Sequence, residues 1–168
     1  KTFKVECPTT YLSTITFENG SVIRLTLSFD VIAHQRNHIE LYGDKGSMIV
    51  PDPNMFGGSV YTCKKLGDLW KEHKTNKMPL GKINIRSQSS RANESSTNAN
   101  YRGAGLAEMA YSIQNKKINK CNGELSLHVL DIIQSTMMAC KNGKVQSIKT
   151  TCKKPQPFYL KEVKKILR

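Results

Sequence analysis

The sequence predicts an α+β fold: an open, mainly antiparallel β-sheet with helices packed on one face. Three observations predict it. The first third alternates apolar and polar residues with the period of two that belongs to half-covered strands. The second half carries apolar residues at helical spacing. Strands precede helices without the β-α-β alternation that builds a parallel sheet.

From Tyr11 to Phe17, residues Tyr11, Ser13, Ile15 and Phe17 fall on one side and Leu12, Thr14 and Thr16 on the other. Asn19-Gly20 follows, a hairpin signal because both residues accept positive φ. Val22 to Phe29 resumes the alternation, with Ile23, Leu25, Leu27 and Phe29 opposite Arg24, Thr26 and Ser28. A second hairpin is predicted from His38 to Tyr42 and Ser47 to Val50, around Gly43-Asp44-Lys45-Gly46. Pro51-Asp52-Pro53-Asn54 stops that strand, and Gly57-Gly58 leads into another, Ser59 to Cys63.

Arg86 to Asn100 is rich in Ser and Asn and reads as a long surface loop. It contains Asn93-Glu94-Ser95, a glycosylation sequon that nothing else supports. A helix is predicted next, with Leu106, Met109, Ala110 and Ile113 on its apolar face and Asn100 as a candidate cap. Glu124 to Lys141 is the clearest helix, striped by Leu125, Val129, Ile132, Ile133, Met137 and Cys140 and stopped by Asn142-Gly143. Val145 to Thr150 reads as a short strand. Tyr159 to Arg168 reads as a basic amphipathic tail, distinct from a main domain over 1–158.

Composition bounds the function. The 168 residues, 38% hydrophobic and 23% charged, suit one globular domain. No apolar run approaches the roughly 20 residues that span a bilayer, and no signal peptide is visible. The five cysteines are odd in number and widely spaced, which favours reduced thiols and a cytoplasmic setting. The net charge of +13 makes a nucleic-acid-binding module the alternative reading. The last sixteen residues hold six of the basic residues against Glu162, and the rest are scattered. Aromatics do not interleave with them as stacking platforms would, so a solvated lysine-rich surface accounts for the charge better.

Few motifs carry chemistry. Gly103-Ala104-Gly105-Leu106-Ala107-Glu108 fails as a dinucleotide fingerprint, because a third small residue is needed where Glu108 stands. Glycines at a helix start either pack closely or offer backbone N–H groups to an anion or hydroxyl. His34, His38, His73 and His128 form no metal-ligand spacing, so no metal is expected. His128 suits the boundary of a core, or else a substrate contact. Ala33-His34-Gln35-Arg36-Asn37 is a polar knot between strands, suited to binding or simply to solvent. No nucleophile elbow, phosphate loop or carboxylate pair is present, and no catalytic residue can be named.

In order and spacing, several segments together resemble the C-terminal domain of the Gfo/Idh/MocA oxidoreductases (glucose–fructose oxidoreductase, inositol dehydrogenase and relatives). They are Thr9-Thr10, Phe17 to Ser21, Ser28-Phe29-Asp30, Ile39 to Gly43 with Gly46-Ser47, Val50 to Asn54 with Gly57-Gly58, Tyr101 to Ala110, and Leu127 to Asp131. The resemblance spans Val5 to Phe158. It implies a parent enzyme that transfers hydride between NAD or NADP and a sugar- or polyol-like small molecule. The catalytic lysine, the Asp/His motif and the cofactor site would lie in a Rossmann domain upstream of Lys1, so this fragment is expected to bind no cofactor and to be inactive alone. It would supply one wall of the substrate cleft and, through its sheet, a homo-oligomer interface; a pure assembly unit is a third reading. By position, the resemblance makes His34, Gln35, Arg36, Tyr101 and Arg102 the candidate substrate-binding residues, with Arg102 able to grip a carboxylate.

Overall fold

The structure is a computed structural model, and it describes residues 3–84 and 98–167. The sequon and most of the Ser/Asn-rich stretch lie outside the described residues. The chain divides into two compact units, Lys1–Gln35 with Cys121–Lys154 and Arg36–Lys120 with Pro155–Arg168. The class is α+β, and all but one of the strand pairings among the described residues are antiparallel.

In the first unit, β1 (Thr10–Thr16) pairs with β2 (Val22–Ser28). The register sets Tyr11, Ser13 and Ile15 opposite Leu27, Leu25 and Ile23, so the two apolar faces expected from alternation are one face. The turn differs from the tight hairpin that Asn-Gly suggests. Of its two residues only Gly20 has positive φ, and five residues separate the strands, with Asn19 Oδ1 accepting from Ser21 N at 3.0 Å. At the hairpin's open end, the Thr9 and Thr10 hydroxyls donate to Asp30 Oδ2, and Thr10 Oγ1 lies 2.7 Å from Ser28 Oγ. Two separate signature segments thus meet in one latch. These hydroxyls, Thr10 first, hold the Asp30 carboxyl below its usual value because they stabilise its charged form.

The helix α2 (Gly123–Asn142) packs on β1. It starts where Asn122 Oδ1 accepts from Leu125 N at 3.0 Å, and it ends at Gly143, whose left-handed φ of 65° needs no Cβ penalty. The covered side holds Leu125, His128, Ile132, Thr136 and Ala139, whereas the expected stripe residues Val129, Ile133 and Met137 are exposed. Val145 to Thr150 is not a strand, because among the described residues no neighbouring strand offers it a ladder. Side-chain hydrogen bonds from α2 hold its end instead. Asp131 Oδ2 accepts from Lys149 N, Thr150 N and Thr150 Oγ1, each at 2.9 Å. These bonds, led by the Thr150 amide, lower the Asp131 pKa.

In the second unit, β3 (Ile39–Gly43), β4 (Gly46–Val50), β5 (Ser59–Cys63) and β6 (Lys71–Lys74) form a meander in that order. A 3-10 turn at Pro53–Met55, capped by Asp52 Oδ1 on Asn54 N, precedes β5. The Gly57-Gly58 signature has a steric cause: a Cβ on Gly57 would stand 2.2 Å from the Gly81 carbonyl oxygen, and one on Gly81 would stand 2.0 Å from that of Thr75. The two-residue strands β7 (Ile83–Asn84) and β8 (Asn98–Ala99) pair in parallel. The helix α1 (Ala104–Gln114) follows, and α3 (Leu160–Ile166), the expected basic tail helix, packs against it.

The apolar face expected of α1 is turned outward. Leu106, Met109 and Ile113 are exposed, while Ala104, Glu108 and Ser112 are buried. Its cap is also not Asn100, which accepts instead from Arg102 N; Gly103 occupies the N-cap position without a side-chain bond. Nor do Gly103 and Gly105 pack closely, since among the described residues nothing lies within 4 Å of where their Cβ atoms would stand.

Candidate functional site

The five candidate residues fall in different places. His34 and Gln35 end the first segment of the first unit, on an exposed stretch after β2, and Arg36 opens the second unit. Tyr101 and Arg102 stand at the start of α1. His34 and Gln35 are therefore not joined with Tyr101 and Arg102 within one unit.

Two clusters form in the second unit. The first surrounds Glu40, which no motif in the sequence marks as a site residue. Its Oε1 accepts from Asn37 Nδ2 at 2.7 Å and its Oε2 from the Tyr42 hydroxyl at 2.9 Å. Strand alternation explains the second contact, because residues two apart on β3 share a face. These bonds, Asn37 first, lower the Glu40 pKa, and the nearby positive charge of Arg36 adds to the effect. The same carboxylate raises the pKa of the Tyr42 phenol by holding its proton. Arg36 thus belongs to a polar cluster at the head of β3.

The second cluster is built by β7, β8 and the turn before β5. Phe56 forms an antiparallel bridge with Ile83, which brings its ring to 5.2 Å from that of Tyr101, tilted by 47°. The fully buried Asn84 turns its Oδ1 to the Tyr101 backbone N–H at 2.8 Å. Tyr101 is therefore fixed by its backbone and its ring together, while Arg102 beside it is exposed. Asn84 gave no signal in the sequence beyond its type; only folding shows that it is buried.

A dinucleotide does not fit the glycine-bearing start of α1. At the position where the fingerprint requires a small residue, Glu108 is 4% exposed and committed to the protein itself. Its Oε1 accepts from Ser112 Oγ at 2.9 Å, and both carboxylate oxygens lie 3.2 Å from Lys120 N. The only parallel strand pair among the described residues is two residues long. Likewise no cluster of three metal-ligating side chains occurs among them, and no helix there is long and apolar enough to cross a membrane.

Comparisons with family models, with curated proteins and with solved structures give no match.

Proposed function

We propose that this chain is the substrate-side domain of an NAD(P)-dependent oxidoreductase of the Gfo/Idh/MocA type, acting on a sugar- or polyol-like molecule in the cytoplasm. On this reading, a Rossmann domain of the same parent chain holds the nicotinamide cofactor and the reactive groups. This domain contributes a wall of the substrate cleft and a sheet that joins subunits.

The observation that carries the reading is the start of α1. A tyrosine whose backbone N–H is held by a buried amide and whose ring packs on Phe56 stands next to an exposed arginine, both within the signature segment Tyr101 to Ala110. Such a pair suits a polyhydroxylated ligand: the phenol exchanges hydrogen bonds with hydroxyls, and the guanidinium binds an oxyanion in bidentate fashion. Supporting it, α1 leaves Leu106, Met109 and Ile113 exposed and α2 leaves Val129, Ile133 and Met137 exposed. Apolar stripes of this kind suit burial against further protein.

The test is nicotinamide-linked oxidation of a panel of polyols and sugars by the full-length gene product, with Tyr101→Phe and Arg102→Ala beside it. The expected result is turnover with a KM raised about tenfold or more by Arg102→Ala, the size of one lost charge-assisted contact. Turnover indifferent to both substitutions would remove the site, and no turnover with any substrate would remove the reading.

A further inference from the structure

The basic tail after Phe158 plays no part in the proposed function, yet the Lys120 side chain ties it down. Lys120 follows α1, and its ammonium makes three contacts with the tail segment. Nζ donates to the Gln156 carbonyl at 3.1 Å, pairs with Glu162 Oε1 at 3.2 Å, and lies 4.9 Å above the Phe158 ring centroid. The pair is partly buried, with side chains 18% and 25% exposed, so solvent screens it less than a surface pair. Glu162 also accepts from Tyr159 N, the first turn of α3, at 3.4 Å. The same lysine's backbone N–H is bound by the buried Glu108 of α1. One residue therefore links the interior of α1 to the tail.

Beyond this latch the tail also has an apolar side. Phe158, Val163, Ile166 and Leu167 meet Leu80 and Ala104 around a crevice. Ala104 is the first residue of α1 and lies two positions after Arg102. A seven-residue helix is too short to persist alone in water, so α3 exists only while docked.

We propose that residues 155–167 are a strap over the first turn of α1, latched by Lys120, whose docking orders the segment that presents Tyr101 and Arg102. The strap is a two-state element: latched and helical, or released and unfolded. The second half of this proposal rests on the assignment of Tyr101 and Arg102 as substrate contacts; the latch itself does not.

Hydrogen exchange on the full chain tests it without any substrate, so its failure is distinct from failure of the oxidoreductase reading. Lys120→Met keeps the aliphatic stem over Phe158 and removes both polar contacts, whereas Glu162→Gln removes only the charge from the tail side. The expected result for Lys120→Met is about tenfold or more faster exchange at amides 163–167 and in the first hydrogen-bonded turn of α1, with α2 amides unchanged. A smaller acceleration in the same places is expected for Glu162→Gln. Unchanged exchange at 163–167 in both variants would overturn the latch. Faster exchange there with α1 unaffected would overturn the coupling to Tyr101 and Arg102.

Discussion

His128 Nδ1 lies 3.0 Å from the Thr150 hydroxyl oxygen, and that hydroxyl has only one proton to give. Thr150 Oγ1 donates it to Asp131 Oδ2 at 2.9 Å, since an ionised carboxylate can only accept. His128 must therefore be the donor at Nδ1, whether neutral or protonated. The expected outcome is a proton on Nδ1, read from its 15N shift. Thr150→Val abolishes that preference, while an Nδ1 shift typical of an unprotonated nitrogen in the parent would contradict it.

Three carboxylates, Asp30, Glu40 and Asp131, have pKa values lowered by donors in the fold. The stability each contributes is fully present above its unfolded value, and it is lost as pH falls through the folded one. The chain should then lose stability on the acid side of about pH 4, the ordinary carboxylate range. In Asp131→Asn the acid-side slope should be shallower, as read from thermal midpoints against pH. Tyr42, whose pKa is raised, acts at the other end: its contribution is lost as pH rises above about 10.

Gly57→Ala and Gly81→Ala should each destabilise the second unit by about 1–3 kcal/mol, the usual cost of overpacking, because the new Cβ meets backbone that cannot yield. Denaturant midpoints measure it. Gly105→Ala, inside α1 with open space where its Cβ would stand, should be neutral within about 0.5 kcal/mol or slightly stabilising.

Glu108→Ala should cost about 1–3 kcal/mol, the penalty for leaving a buried donor unsatisfied, since Lys120 N and Ser112 Oγ both lose their acceptor. Glu108→Gln keeps an acceptor oxygen and should cost less. Equal losses in the two variants would show that the charge, rather than the hydrogen bonds, matters.

Much of the fold is legible in the sequence wherever one face is apolar. Alternation marks β2 to within one residue, and the Asn142-Gly143 stop marks the end of α2. What escapes has a physical reason. The strand β6, Lys-Glu-His-Lys, has no apolar face at all; it is a charged edge strand, and charge protects an edge from further pairing. The face of α1 is misread because hydrophobicity assigns Leu106, Met109 and Ile113 to the inside, whereas small size and hydrogen bonding put Ala104, Glu108 and Ser112 there. Val145 to Thr150 has the pattern of a strand but finds a helix's carboxylate in place of a neighbouring ladder. Of the candidate site, Tyr101 and Arg102 could be singled out from their signature. The support of Tyr101 could not, because Asn84 and Phe56 arrive through a bridge and a two-residue parallel pair that leave no periodic trace.

The apolar stripes left open on α1 and α2 give a further expectation. A chain of these residues alone should self-associate with rising concentration, as read by sedimentation. A strict monomer at high concentration would argue against a role in assembly. The alternative of nucleic-acid binding, raised by the +13 charge, expects retardation that falls steeply with salt; none is expected at low salt from the oxidoreductase reading.

The most direct measurement is a titration of the full-length gene product with NADH and NADPH, followed by cofactor fluorescence and paired with a titration of residues 1–168. Saturable binding by the full-length product and none by the shorter chain is the result expected from a division of labour between two domains. Equal binding by both, or binding by neither, would contradict it.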